Sequence, residues 1–166
     1  MPQEEKPSVY VETTVVSYLT ARGSRDLLLA AHQQVTLEWF RDQRENYALF
    51  VSDLVYMEAE KGNSDALTRR LEILDTCAVL AESKEVRELA GVYVQKLPFP
   101  SKAAVDALHM ALATWHGMEY LLTWNCRHIA NASIRRRLEE VNSQLGLPSP
   151  TICTPEELLY GSEYVD

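Results

Sequence analysis

The chain has 166 residues, of which 46% are hydrophobic, so it is long enough for one domain with a full core and too short for two. Its formal net charge of −8 at pH 7 argues against broad, nonspecific coating of nucleic acids, which needs clustered lysine and arginine. No apolar stretch approaches the roughly 20 residues of a membrane helix, and the polar, acidic start predicts neither a secretory signal nor a transit peptide.

Short apolar runs alternate with amphipathic stretches in the first half of the chain. Apolar residues at helical spacing, including Leu28, Ala31, Val35 and Trp39, predict helices between the runs. Gly23 and Gly62 mark breaks. The predicted elements are strands at 8–11, 47–51 and 78–80, and helices from Thr13 or Thr14 through 19, from 25 to about 43, from Ser52 or Asp53 to 61, and from 65 to about 75.

The second half continues the same pattern. A Pro98–Phe99–Pro100 loop ends one helix, because proline cannot continue it. Thr154, Pro155 and Glu157 together form a complete helix start, with a cap, a proline at the first position and a capping box. The predicted elements are helices from 83 to the proline loop, from 101 to about 116 and from 131 to 145, strands at 120–123 and 151–153, and a terminal helix after Thr154.

Five alternations of strand and helix predict a parallel sheet covered on both faces. The expected fold class is therefore α/β, with a central parallel sheet of about five strands. We expect a single domain over residues 8–160, with flexible ends at 1–7 and 161–166.

Polar residues follow several of the predicted strands. Glu12 comes directly after an apolar strand, Glu58 lies just past the second strand, Asp106 lies inside a later apolar helix, and Asn125 follows the strand at 120–123. The carboxyl ends of parallel strands share one crevice, where open α/β sheets bind ligands. Oxygen ligands suit a hard divalent cation, so the sequence predicts a site for Mg²⁺ or Mn²⁺.

Each of these residues also has an ordinary explanation. Glu12 is favoured near a helix start, and Asn125 can simply cap a turn. Asp106 can pair with Lys102 instead of a cation. It flanks a predicted core stripe of Val105, Leu108, Leu112 and Trp115. His109 lies closer to the centre of that stripe, which favours a buried, hydrogen-bonded histidine over a metal ligand.

Four stretches together resemble the PIN domains of VapC-type toxins. They are Val9–Tyr10–Val11–Glu12–Thr13–Thr14–Val15, Ser52-x-Leu54-x-x-x-Glu58, Asp106–Ala107–Leu108–His109–Met110–Ala111 and Leu121–Leu122–Thr123–Trp124–Asn125, and the resemblance extends to 153–158. It implies a three-layer α/β/α sandwich and metal-dependent ribonuclease activity.

The resemblance also implies roles and partners. Glu12 and Asp106 would be primary ligands of Mg²⁺ or Mn²⁺. Glu58 would be a further ligand or orient the attacking water, Thr14 would support the ligands, and Asn125 would bind a coordinated water. Most family members carry Asp in place of Glu12, and commonly in place of Asn125, so a second metal would be held more weakly here. The implied partners are an RNA substrate and a separate antitoxin.

Apolar surface on the early helices also suggests a binding partner. Tyr18–Leu19 and Leu27–Leu28–Leu29 are suited to an antitoxin or a second copy, and we expect a homodimer. A catalytically weak PIN scaffold that acts by binding proteins is therefore the main alternative. A receiver or nucleotide-binding domain is disfavoured, because no glycine-rich phosphate loop exists and Ala81–Glu82 and Thr154 stand where a receiver needs Asp and Lys.

Weaker signals have simpler explanations. A zinc site from Cys126, His128 and another histidine lacks repeated spacing. The run Arg135–Arg136–Arg137 is typical of a solvated face beside acidic residues. Trp39 and Trp115 are predicted in the core, whereas Trp124 is as suited to stacking on a base as to packing. Three widely spaced cysteines without a Cys-x-x-Cys pair indicate reduced thiols and a cytoplasmic protein without a membrane segment.

Overall fold

The computed structural model describes residues 5–100 and 102–160. Its centre is a sheet of five strands in the order β3-β2-β1-β4-β5, and every neighbouring pair is parallel. Alternation of strands and helices predicted this sheet, and the prediction is confirmed. The strands are β1 (Ser8–Val11), β2 (Ala48–Ser52), β3 (Ala78–Leu80), β4 (Tyr120–Leu122) and β5 (Thr151–Cys153).

Helices cover the sheet and complete a three-layer α/β/α sandwich. In one group α2 packs on α1 and α8, while α1 also contacts α3 and α4; in the other, α5 packs on α6 and contacts α7. Two short 3₁₀ helices lie at Arg44–Asn46 and Ser64–Ala66. The helices are α1 (Thr13–Thr20), α2 (Leu27–Gln43), α3 (Asp53–Lys61), α4 (Leu67–Leu74), α5 (Lys84–Lys96), α6 (Ala104–Trp115), α7 (Ala132–Leu145) and α8 (Pro155–Leu159).

Strand β1 holds the middle of the sheet and sets the position of Glu12. Val11 pairs with Leu122 of β4, and the Glu12 N–H donates to the Leu122 carbonyl over 3.0 Å. Val9, Tyr10 and Leu121 are fully buried. Glu12 therefore lies where the central strand ends, next to the end of β4.

Several predicted helix boundaries hold for the predicted reasons. Helix α8 has the capping box, with the Thr154 N–H donating to Glu157 Oε2 over 2.7 Å. Helix α7 ends at Gly146, whose φ of 69° is left-handed and suits glycine. The predicted flexible ends lie outside the described residues, except for residues 5–7.

The predicted start of α1 was wrong by one residue, since Glu12 rather than a threonine is its N-cap. The Glu12 carboxylate accepts the Thr14 N–H, which an N-cap side chain must do. Helix α6 begins at Ala104 rather than residue 101, which lies outside the described residues. Among the described residues, no helix combines the length and the apolarity that crossing a bilayer requires.

Two predicted core stripes were wrong in part. On α6, Leu112 is buried as predicted, but Val105 and Trp115 are nearly half exposed, and most of the other buried residues are small. On α2, Leu28 is exposed, whereas Trp39 is buried as predicted. The buried residues are Ala107, His109, Met110, Ala111, Leu112, Ala113 and Thr114 on α6, and Gln33, Thr36 and Trp39 on α2.

Candidate metal centre

Glu12 is buried, with only 3% of its surface exposed, yet its charge is well compensated. Its Oε2 accepts hydrogen bonds from the Thr14 N–H over 3.2 Å, the Thr14 hydroxyl over 2.5 Å and the Thr123 hydroxyl over 2.8 Å. A buried carboxylate needs such partners because desolvation of an unpaired charge is costly. All three bonds use one oxygen, so Oε1 makes no hydrogen bond to the described residues.

Glu58 lies on α3 and faces Glu12. Its Oε1 accepts the Thr13 hydroxyl over 2.7 Å and lies 2.5 Å from His109 Nε2. One potential ligand atom from each of Glu12, Glu58 and His109 lies within 4.8 Å of the other two. Among residues 5–100 and 102–160, no other group of three acidic, histidine or cysteine side chains is close enough to hold a metal ion.

His109 is held from both sides. A carboxylate can only accept, so Nε2–H donates to Glu58, while Nδ1 on the other side of the ring lies 2.7 Å from the Tyr10 hydroxyl. Tyr10 is in turn 2.8 Å from the Ser52 hydroxyl. The predicted buried, hydrogen-bonded histidine is thus what the structure contains, and its ring is committed to orienting Glu58.

The charge state of Glu58 follows from these contacts. Burial would raise the pKa of its carboxyl, but the hydrogen bond and electrostatic attraction of His109, the hydrogen bond from Thr13 and the charge of Lys61 outweigh burial and hold the pKa below its usual range. Burial also raises the pKa of Tyr10 strongly. Glu58 is therefore an anion at neutral pH, while Tyr10 remains a neutral donor.

Asp106 lies on the far side of this cluster, at the start of α6. Its Oδ1 accepts the Asn125 side-chain N–H over 3.1 Å, and its Oδ2 accepts from His128 Nδ1 over 2.9 Å. The alternative pairing with Lys102 does not occur among the described residues. Asn125 also caps a turn, since its Oδ1 accepts the His128 backbone N–H over 3.0 Å.

One continuous chain of hydrogen bonds connects Asp106 to Glu12. The Thr123 hydroxyl donates to Glu12 and accepts the Asn125 N–H over 2.9 Å, while the Asn125 amide holds Asp106. Of the four residues predicted from strand ends, Glu12 and Glu58 form the inner part of the site, within the cluster that includes His109. Asp106 and Asn125 lie outside that cluster and form its rim, connected to Glu12 through Thr123.

The donor set fits a hard divalent cation. Glu12 and Glu58 bring two carboxylates close together, an arrangement that repels itself unless a cation or a proton intervenes. Each has one oxygen without a hydrogen bond among the described residues. Carboxylate oxygens are the ligands that Mg²⁺ and Mn²⁺ prefer. His109 is the less suited ligand, because its Nε2 hydrogen points at Glu58.

Sequence reasoning missed the residues that hold these carboxylates. Thr13, Thr123, His128 and Tyr10 are polar contacts formed between elements far apart in the chain. Thr14 was predicted to support the ligands, and it contacts Glu12 directly. Threonine and tyrosine carry no distinctive spacing, so only the fold shows their role.

Trp124 next to Asn125 is a packing residue. Its ring stacks on His32 with centroids 4.1 Å apart, and its Nε1–H donates to the Thr36 hydroxyl over 2.7 Å. In the Arg135–Arg137 run, Arg136 and Arg137 are exposed as predicted and both pair with Glu140, whereas Arg135 is only partly exposed and lies near Glu157. His116 donates to the Ala81 carbonyl, far from any zinc-like grouping.

The family model of the PIN domain matches residues 9–134, which is most of the chain. The chain therefore belongs to the PIN-domain family. The matched segment contains all four predicted site residues and both flanking sheet neighbours of β1.

Solved structures with the same fold are VapC toxins and VapBC complexes. The VapC20 toxin of Mycobacterium tuberculosis, which cleaves the sarcin–ricin loop, is 15% identical over 68% of this chain and 86% of its own, with a TM-score of 0.54. VapBC2 of Rickettsia felis, bound to a fragment of its promoter DNA, is 15% identical over 89% and 98%, with a TM-score of 0.55. VapBC-1 of nontypeable Haemophilus influenzae has the same identity and coverage and a TM-score of 0.54. No curated protein sequence matches the chain.

Proposed function

We propose that this PIN-domain protein is an Mg²⁺- or Mn²⁺-dependent endoribonuclease and the toxin of a toxin–antitoxin pair. The observation that supports the proposal best is the cluster of Glu12, Glu58 and His109, which hydrogen bonds connect through Thr123 and Asn125 to Asp106. Its VapC20 neighbour is described as a toxin that cleaves the sarcin–ricin loop. A local acidic site of this kind is compatible with a chain of net charge −8, because bound cations supply the positive charge.

Each residue has a distinct task in this proposal. Glu12 and Glu58 would hold the ion through the oxygens that their internal hydrogen bonds leave available, and Asp106 would complete the ligands from the rim. A bound divalent ion lowers the pKa of a water and offsets the negative charge of phosphodiester hydrolysis. Asn125, an amide, fixes Asp106 and presents no charge to the substrate.

RNA cleavage in the presence of Mn²⁺ tests the proposal. Glu58→Gln should lower kcat by about 100-fold or more, as removal of a residue that stabilises transition-state charge does. Glu60→Gln is the matched control, because Glu60 lies on the same helix but is exposed. Equal cleavage by wild type, Glu58→Gln and Asp106→Asn would overturn the assignment.

The antitoxin and a second copy of the chain are the proposed protein partners. Two of the neighbouring structures are VapBC complexes. On α2, Leu27 is 87% exposed and Leu28 is 68% exposed, which is unusual for adjacent large apolar residues on a helix. The three cysteines are free, which supports the reducing cytoplasm as the place of action.

A protein-binding scaffold with weak catalysis is the second candidate, and the same exposed leucines favour it. Titration with Mn²⁺ separates the two: a nuclease binds the ion at the crevice, whereas a scaffold has no need of it. Leu28→Asp should abolish partner binding in both cases. It should leave RNA cleavage intact only if the first proposal is correct.

A further inference from the structure

A cavity of about 280 Å³ opens beside the rim of the candidate metal centre. One wall is the Pro98–Pro100 loop, and the other is the turn from Arg127 to Asn131 with the first turn of α7. Its volume lies just below the range of about 300–1,000 Å³ that suits drug-sized ligands. It therefore suits a ligand no larger than a single nucleotide unit.

His128 connects this cavity to the site. One ring nitrogen, Nδ1, donates to Asp106, and the ring itself lines the cavity. The cavity thus begins within one side chain of a proposed metal ligand. An RNA strand that leaves the metal centre past Asp106 would enter this cavity.

Arg127 gives the cavity its charge. All eleven arginines of the chain are described, and nine of them bind a carboxylate or a carbonyl within the chain. Within the described residues, the guanidinium groups of Arg25 and Arg127 have no such partner. Arg127 is exposed, and of these two it is the one that lines the cavity.

Phe99 supplies the apolar part. It is half-buried against the core and lines the same cavity, between two prolines whose fixed φ angles stiffen the loop. An aromatic face beside a guanidinium is the combination that binds single-stranded nucleic acid, by base stacking and phosphate contact. In a protein with net charge −8, such a local cation adds to the attraction that bound metal ions exert on an RNA phosphate.

We propose that this cavity is a substrate subsite that binds one nucleotide of single-stranded RNA next to the cleavage site. Arg127 contacts a phosphate of the strand, and Phe99 stacks on a base. The subsite rests on the proposed ribonuclease function for the identity of its ligand. Arg127 and Phe99 act on substrate binding and not on the chemical step.

Binding of a fluorescein-labelled single-stranded RNA of mixed sequence, measured by anisotropy, tests the subsite directly. The protein carries Glu12→Gln throughout, because glutamine keeps an oxygen for the threonine hydroxyls while blocking cleavage. Arg127→Ala should weaken binding and reduce the slope of log K against log salt by about 0.7, the value for one phosphate contact of a single strand. Arg25→Ala removes the same charge from the other unpaired arginine and should leave the slope unchanged.

Phe99→Leu preserves apolar packing and removes the aromatic face. It should lower affinity about 5- to 100-fold, the range for one stacked base, with no change in the salt slope. Thermal unfolding of each variant confirms that it is folded. In otherwise wild-type protein, Arg127→Ala should raise KM and leave kcat unchanged.

The outcomes separate the two proposals. If wild type cleaves RNA but Arg127→Ala and Arg25→Ala behave alike, the subsite is overturned and the nuclease stands. If wild type cleaves nothing yet the Arg127 effect on RNA binding is present, the nuclease fails and the subsite stands. If no variant binds the RNA, the subsite is overturned whatever the cleavage result.

Discussion

His109 Nε2 donates a hydrogen bond to Glu58 Oε1 over 2.5 Å from a ring with no exposed surface. Behind the ring, Tyr10 and Ser52 complete a line of buried polar groups that runs from the sheet to the crevice. The line fixes which oxygen of Glu58 is hydrogen-bonded by the protein and which has no such bond among the described residues. The geometry of one proposed ligand therefore depends on residues 42 to 99 positions apart from Tyr10 in the chain.

Two substitutions of His109 distinguish the role of its Nε2 hydrogen bond from the role of its Nδ1 hydrogen bond. Glutamine carries its amide near the position of Nε2 and keeps a donor for Glu58, whereas asparagine reaches only the position of Nδ1. We expect His109→Asn to bind Mn²⁺ about 10- to 100-fold more weakly than His109→Gln, as loss of a ligand-orienting partner does. Calorimetric titration with MnCl₂ measures this. Equal affinities in the two variants would show that His109 does not position Glu58.

Asn125→Asp should lower the stability of the metal-free protein and raise its affinity for the metal. The Asn125 amide donates to Asp106, and an aspartate there would place two carboxylates against each other. The bond from the His128 N–H survives, because the remaining oxygen still accepts it. We expect the metal-free variant to lose about 1–3 kcal/mol of stability and to gain more than wild type on addition of MnCl₂. Scanning calorimetry with and without the ion measures both, and an unchanged response to Mn²⁺ would contradict the prediction.

Thr36 should matter more to stability than its small size suggests. Its buried hydroxyl accepts the Trp124 Nε1–H, and Thr36→Val would leave that donor without a partner. The expected cost is about 1–3 kcal/mol in the free energy of unfolding. Thr36→Ser keeps the hydroxyl and should cost less. Urea denaturation followed by tryptophan fluorescence gives both values; similar losses in the two variants would assign the effect to the methyl group instead.

Stability should fall at alkaline pH because of Tyr93. Burial raises the pKa of this tyrosine to about 12, while its hydroxyl donates to Asn142 Oδ1 over 2.5 Å. The unfolded chain loses the same proton near pH 10, so unfolding becomes easier as pH rises from 10 to 12. Tyr93→Phe should be less stable at pH 7 but lose about 2–3 kcal/mol less than wild type over that interval. Denaturant titrations at pH 10, 11 and 12 test the sign and the size; parallel pH profiles would refute the prediction.

The sheet and the positions of the acidic residues could be predicted, because strand ends and helix starts are local signals. The core face of α6 could not. Large apolar residues suggested Val105 and Trp115, but α6 packs closely on α5 and the sheet, where alanines such as Ala107 and Ala111 fit better. Size and hydropathy were the wrong guides to a tightly packed face.

The buried face of α2 was mispredicted for the opposite reason. Its buried side contains Gln33 and Thr36, whose polar groups are satisfied by the Ser24 N–H, the Arg22 carbonyl and Trp124. A periodicity argument counts such residues as solvent-facing. The hydrogen-bond partners that allow these residues to be buried lie outside the helix. The sequence of the helix alone therefore does not predict which face is buried.

The middle position of β1 has a consequence for how the crevice could be controlled. A strand with neighbours on both sides opens only when the whole molecule does, and the backbone of Glu12 is tied to β4 at the end of that strand. Loosening one loop would therefore leave the position of Glu12 unchanged. An inhibitor of such a protein has to cover the site rather than destabilise the structure around it.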